Sequence, residues 1–226
     1  MQSFLLRLRR VIYVHKEYFE STKKLVETID RIDTTDVTKA TTLAKYLQWQ
    51  AEQHGFYYKE SLPIDIPQKV FKNKISPFEY NKHSGILSKY YYQSGDSYIK
   101  KNVPIDYNDA FSLLNNMILI AGSVVWVSFG FNIGCEFGGH HPAVIIKHLG
   151  KGLIVAPLST GIKNPNNSRQ IDVSKVYDFE ERNRFTDVTR ICPVSVYRVD
   201  LTSKIGNVHK TKLQEIKTAL VDYLGK

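Results

Sequence analysis

Residues 122–160 constrain this chain more than any other stretch. They hold three apolar runs, 124–129, 143–148 and 153–158, separated by links rich in glycine and polar residues. Runs of about six residues, dense in Val and Ile and bounded by Gly and Pro, read as strands. The first link carries Asn132, Cys135, Glu136, His140 and His141, and Ser159 and Thr160 follow the third run. Rigid strands with reactive groups at their ends describe a small β domain that presents a site from its loops.

Around that centre the chain reads as α+β. Residues 170–173 and 188–199 are further strand candidates, and Pro193 within the latter implies a bend, bulge or edge. Residues 164–168, Asn-Pro-Asn-Asn-Ser, read as a turn or mobile loop. The chain closes with a helix over 211–224, with Leu213, Ile216, Leu220 and Leu224 as its apolar stripe and Gly225 as its stop. At the other end, residues 4–32 show helical spacing through Leu5, Leu8, Ile12, Phe19, Leu25, Val26 and Ile29. Residues 33–36 break the pattern and offer N-caps for a second helix, from 36 to 54. Its inner stripe is Leu43, Tyr46, Leu47 and Gln50, and Gly55 is its expected stop.

Residues 56–107 are less regular, with four prolines. Phe56-Tyr57-Tyr58 and Tyr90-Tyr91-Tyr92 alternate there with lysines. Tyrosine with lysine suits both a packed connector and a groove that stacks bases and pairs phosphates. A short helix over 109–117 leads into the β region. The expected division is a mainly helical region, 1–110, and a β-rich domain, 111–226.

The 226 residues carry a formal charge of +9, spread along the whole chain. That excess favours a polyanion such as RNA or DNA, and it also suits a solvated basic surface. Two cysteines, Cys135 and Cys192, form no disulfide framework and fit a reducing, cytoplasmic setting. Arg7, Arg9 and Arg10 interrupt the apolar start, so no signal peptide is expected. No run of about 18 apolar residues occurs, so no membrane partner is expected.

The order of residues in the central stretch resembles that of the PemK/MazF family of toxin endoribonucleases. The matching positions are Gly122-Ser123-Val124, then Gly134-Cys135-Glu136 through His141-Pro142, then residues 143–146, then Pro157-Leu158-Ser159-Thr160, with a weaker echo at Arg198 and the last helix. The likeness covers roughly the second half of the chain. It implies an SH3-like small barrel with a terminal helix. It also implies metal-independent, cofactor-free cleavage of single-stranded RNA, and a homodimer neutralised by a cognate antitoxin. His141 stands where the family has a catalytic arginine, and Ser159 aligns with its catalytic threonine. Glu136 matches the loop glutamate and Arg198 a family arginine. The same resemblance admits a non-catalytic alternative, a CcdB-like member that binds RNA or a protein target such as DNA gyrase.

The residues themselves allow that chemistry. RNA cleavage without metal needs a base for the 2′-OH, an acid for the leaving 5′-oxygen and donors for the phosphate. His141 titrates near neutrality and suits proton transfer, and it also suits a purely structural place at a turn. The Ser159 hydroxyl can donate to a phosphate oxygen, with Thr160 as its neighbour on the other side of the strand. Asn132, Glu136, His140, Thr160 and Arg198 are the expected RNA contacts. The glycine pair 138–139 opposes a helix that would align Cys135, Glu136 and the histidines on zinc, and no phosphate-binding Gly-Lys-Ser/Thr occurs.

Overall fold

The three apolar runs form three neighbouring antiparallel strands in the computed structural model of the chain. The structure describes Glu20, Lys23, Lys24, Glu27 and residues 37–60, 66–71, 74–131 and 137–225. Apart from those four residues, the helix expected over 4–32 lies outside the described residues, as do its cap candidates at 33–36. The chain forms two compact units, Met1–Gln53 and His54–Lys226.

Helix α1, Val37–Glu60, runs through Gly55 instead of stopping there. Gly55 does not adopt the left-handed conformation that ends helices. A glycine inside a helix costs only about 1 kcal/mol against alanine, too little to stop it alone. The expected stripe residues Leu43, Tyr46, Leu47 and Gln50 are half-buried, and Trp49 beside them is buried.

The second unit opens with short elements. Helix α2, Pro77–Lys82, is capped by Ser76, whose side chain accepts from Glu79 N–H. Helix α3, Ser84–Tyr90, leads into a hairpin of β1, Tyr91–Ser94, and β2, Ser97–Lys100. Helix α4, Tyr107–Leu113, starts two residues earlier than the sequence pattern predicts, because the Asp106 carboxylate accepts from Asn108 and Asp109 N–H. A π-turn, Leu114–Ile118, then delivers the chain to the sheet. Tyr90 and Tyr91 are core residues, and Tyr90 donates its hydroxyl to Asp109 at 2.7 Å.

The main sheet contains β3 (Ser123–Gly130), β4 (Gly139–Leu149), β5 (Gly152–Pro157), β9 (Cys192–Ser195), β10 (Val199–Asp200) and β11 (Gly206–Asn207). Its order is β10-β3-β4-β5-β9, with β11 also on β3, and the path is open at β10 and β9. A second sheet joins β6 (Ser159–Thr160), β8 (Arg184–Asp187) and β7 (Gln170–Asp172). Helix α5, Lys210–Leu224, closes the chain.

Residues 188–199 are not the single strand their apolar pattern suggested. Asp187 and Ser195 side chains each accept a backbone N–H two residues on and start 3₁₀ turns, Val188–Arg190 and Val196–Arg198. Both turns break the run, and the second carries the chain from β9, at one end of the sheet, to β10 at the other. Pro193 sits in β9, the edge strand, where its missing N–H costs no ladder bond.

Side-chain alternation along the sheet feeds two cores. One face sends Val125, Val127, Ala143, Ile145, Leu153 and Val155 into a cluster with Phe71, Leu87, Tyr91, Leu113, Leu114 and Ile118. The other sends Val124, Val144, Ala156 and Leu158 against Val173, Val176 and Ile216, with Leu213 packed at its margin. Leu224, expected on the helix stripe, is exposed.

Candidate active site at the end of the β3–β4 hairpin

The two histidines of the first link sit on β4, opposite the end of β3. Val127 pairs with His141, Ser128 with His140, and a bulge follows before Gly130 pairs with Gly139. Both glycines have positive φ, +102° and +82°, which an L side chain rarely adopts. A Cβ on Gly139 would also lie 3.3 Å from His141 Nε2, so the bare backbone leaves room for that ring. Successive residues on a strand point to opposite faces. His141 therefore belongs to the face of Val127, and His140 to the face of Trp126.

On the first face His141 is half-buried in an aromatic cluster. Its ring meets Phe137 edge-on at 4.8 Å, and Phe137 meets Phe129 at 5.1 Å. The Arg190 guanidinium lies 5.6 Å from the Phe137 ring centre. Arg198 donates to the Phe129 carbonyl at 3.4 Å and stacks over Phe56 at 5.9 Å. Burial, helped by the neighbouring His140, pushes the His141 pKa below its ordinary value. The ring is then neutral at pH 7 and ready to accept a proton.

Ser159 lies on the adjoining strand. The β4–β5 ladder ends with Ala143 opposite Pro157, and Leu158 N–H then donates to Pro142 O at 2.8 Å. The next positions outward along the same ladder are His141 and Ser159. There the chain turns away to pair with β8, Ser159 opposite Phe185 and Thr160 opposite Arg184. Ser159 is half-buried and Thr160 exposed.

The opposite face holds a different group. His140 stacks on Trp126 at 5.2 Å, and its Nε2 lies 3.7 Å from Asp200 Oδ2. Burial of Asp200 opposes ionisation, but Ser203 and Thr202, through hydroxyls and backbone N–H groups, outweigh it and lower its pKa to about 2. The structure thus brings His141, Ser159 and Arg198 to one end of the sheet and sets His140 on its other face. Asn132, Glu136 and Cys135 lie outside the described residues.

Sequence reasoning passed over Trp126, Phe129, Phe137, Arg190 and Asp200. The signal at Asp200 was present: Asp-Leu-Thr-Ser is an Asx-turn pattern. Among the described residues no group of three His, Cys, Asp or Glu is placed to hold a metal ion, and no helix is long and apolar enough to cross a membrane. Burial raises the Cys192 pKa against the opposing pull of Arg198, so that thiol is a poor nucleophile.

Comparison with known proteins bears on this end of the molecule. Residues 120–224 match the family model described as PemK-like, MazF-like toxin of type II toxin-antitoxin system. Among solved structures, an endoribonuclease in complex with its cognate antitoxin from Mycobacterial species is 15% identical, covering 47% of this chain and 94% of its own, at a TM-score of 0.37. The Mycobacterium tuberculosis toxin MazF-mt6 is 13% identical, covering 45% and 95%, at 0.34. The MazE-MazF structure from Deinococcus radiodurans is 16% identical, covering 47% and 95%, at 0.36. No match is found among curated proteins. The segment matched by the family model, residues 120–224, contains the sheet, both histidines, Ser159 and Arg198.

Proposed function

We propose that the protein is a metal-independent endoribonuclease toxin that cuts single-stranded RNA to 2′,3′-cyclic phosphate and 5′-OH ends. The observation that carries this reading is a half-buried His141, its pKa lowered by burial, just beyond the end of the β4–β5 ladder from which Ser159 also emerges. In this reading His141 accepts the 2′-OH proton, and the 2′-oxygen attacks phosphorus. The P–O5′ bond breaks, and the 5′-oxygen leaves with a proton taken from solvent. Ser159 donates a hydrogen bond to a non-bridging phosphate oxygen, and Arg198 supplies positive charge to the crowded phosphate. Glu136, Asn132, His140 and Thr160 are proposed RNA contacts.

The family description supports a cognate antitoxin as partner. A homodimer, an SH3-like barrel and a cytoplasmic setting complete the proposal. Residues 111–226 would carry the toxin activity and residues 1–110 an extension to it. A second reading, a non-catalytic member that binds RNA or a protein such as DNA gyrase, is favoured by one observation. His141 packs edge-on against Phe137, as a purely structural ring also would.

Single-turnover cleavage of a labelled single-stranded RNA separates the two. His141→Ala is expected to slow cleavage by roughly 10²–10⁴-fold, the usual contribution of a positioned base, with circular dichroism unchanged. Ser159→Ala is expected to slow it less. If both variants cut like the parent, this site does not perform the reaction.

A further inference from the structure

The face of the sheet opposite His141 carries a column of rings that takes no part in the proposed proton transfer or bond breaking. His140, Trp126 and Phe179 stack in sequence, with centroids 5.2 and 6.4 Å apart and planes within 29° and 18° of parallel. The Arg184 guanidinium closes the inner end, 5.7 Å from the Phe179 ring centre. It is itself buried, and donates to Glu180 O at 3.0 Å. The outer end is the His140 imidazole, whose side chain is 44% exposed. Asp200, ionised and held by Thr202 and Ser203, fixes the Nε2 edge of that ring and leaves its outer face open.

The surroundings are cationic. Beside the column lies a cleft of about 450 Å³ lined by Lys69, Lys74, Lys204, Asp178, Thr202 and Ser203. Two links tie it to the column: Ser203 and Thr202 bind Asp200, and Asp178 precedes Phe179 in the chain. Asp178 is engaged by Lys74 at 3.1 Å. Lys175 lies 5.7 Å from the ring centre of the exposed Tyr177. An exposed aromatic end beside lysines matches single-stranded nucleic acid, whose bases stack while its phosphates pair with cations. An apolar peptide would offer Lys69 and Lys204 no counter-charge, and a duplex would keep its bases inside.

We propose that the His140–Trp126–Phe179 column is a base-stacking platform for single-stranded RNA, separate from the His141 end and on the other face of the sheet. A base adds to the column on His140, and the neighbouring phosphates run toward the lysine cleft. The inference rests on the reading of the protein as one that acts on RNA, but it does not need cleavage.

The sequence holds two tryptophans, so Trp49→Phe leaves Trp126 as the sole reporter. The probe is a fully 2′-O-methylated single-stranded oligomer of about ten nucleotides, within the range one such surface covers. It lacks the 2′-OH and survives any cleavage. The expected result is a saturable change in Trp126 emission. His140→Ala should weaken binding roughly 5- to 100-fold, the range of one lost stacking contact. His140→Phe, which keeps an aromatic ring at that position, should bind close to the parent. Tyr223→Ala, an exposed aromatic on α5, should change nothing. The proposal is overturned if the oligomer fails to bind, if it binds without altering Trp126 emission, or if His140→Phe loses as much affinity as His140→Ala. A parent that cleaves RNA while Trp126 stays silent refutes the platform and leaves the nuclease reading standing. A responsive Trp126 in a protein that cuts no RNA does the reverse.

Discussion

Replacing Phe71 with alanine will destabilise a sheet whose first strand lies far along the chain from it. Phe71 is fully buried in the cluster that also holds Leu87, Leu113, Val125, Ile145 and Val155. Its neighbours Leu87, Leu113, Leu114 and Ile118 are themselves almost wholly inaccessible, so little around the ring is free to collapse into the void. Core Phe→Ala changes cost about 3–5 kcal/mol, and a site that cannot relax belongs toward the upper end. Domains are stable by about 5–15 kcal/mol, so a loss near 4 kcal/mol is a large part of the total. At a urea slope near 2 kcal/mol per molar, the midpoint falls by roughly 2 M. The assay is urea unfolding followed by Trp126 emission in the Trp49→Phe background, with far-UV circular dichroism in parallel. Both signals are expected to shift together. A Trp126 transition that stays in place would show that residues 54–110 hold a separate core. By the same reasoning, a chain begun at residue 54 should fold, and one begun at 112, without Phe71, Leu87, Tyr90 and Tyr91, should not.

Other consequences concern charge. The Asp200 pKa is lowered from the ordinary 3.8 to about 2, so its ionised form stabilises the folded state above about pH 4 and that contribution fades as pH falls toward 2. Allowing for solvent screening, it is worth roughly 1 kcal/mol, and the stability gap between the parent and Asp200→Asn should narrow across that window in pH-dependent urea melts. The His141 pKa is depressed, so the cleavage rate should rise with pH through a point below the ordinary histidine value. His141→Arg should abolish that limb, and a profile unchanged by the substitution would exclude His141 as the base. Binding of single-stranded RNA should weaken linearly in log affinity against log salt, and a flat response would point to a protein target instead.

The strands of the central stretch were legible because their apolar runs are short, dense and punctuated by glycine. The histidines and Ser159 were legible as candidates for the same reason: they fall at the ends of those runs, whereas Arg198 was a candidate through the family resemblance alone. The turns that interrupt 188–199 were harder to see. Asp187 and Ser195 break the strand by capping backbone N–H groups, while the apolar pattern around them continues. Strand β8 was missed because its buried residues, Arg184 and Thr186, are polar. Arg184 is buried through a carbonyl and a phenyl ring that no spacing rule foretells. The separation of His140 from His141 follows from strand alternation, once both are known to lie on β4 and not in the loop. The sharing of one core between residues 70–119 and the sheet is a long-range packing fact without a local sign.

The central claim is that this chain cuts RNA by attack of the 2′-oxygen, without a metal. The most direct measurement incubates the purified protein with a labelled single-stranded RNA in excess EDTA and identifies both new termini. The account predicts cleavage with 2′,3′-cyclic phosphate on the upstream fragment and 5′-OH on the downstream one. Strict dependence on magnesium, or 5′-phosphate ends, would contradict it.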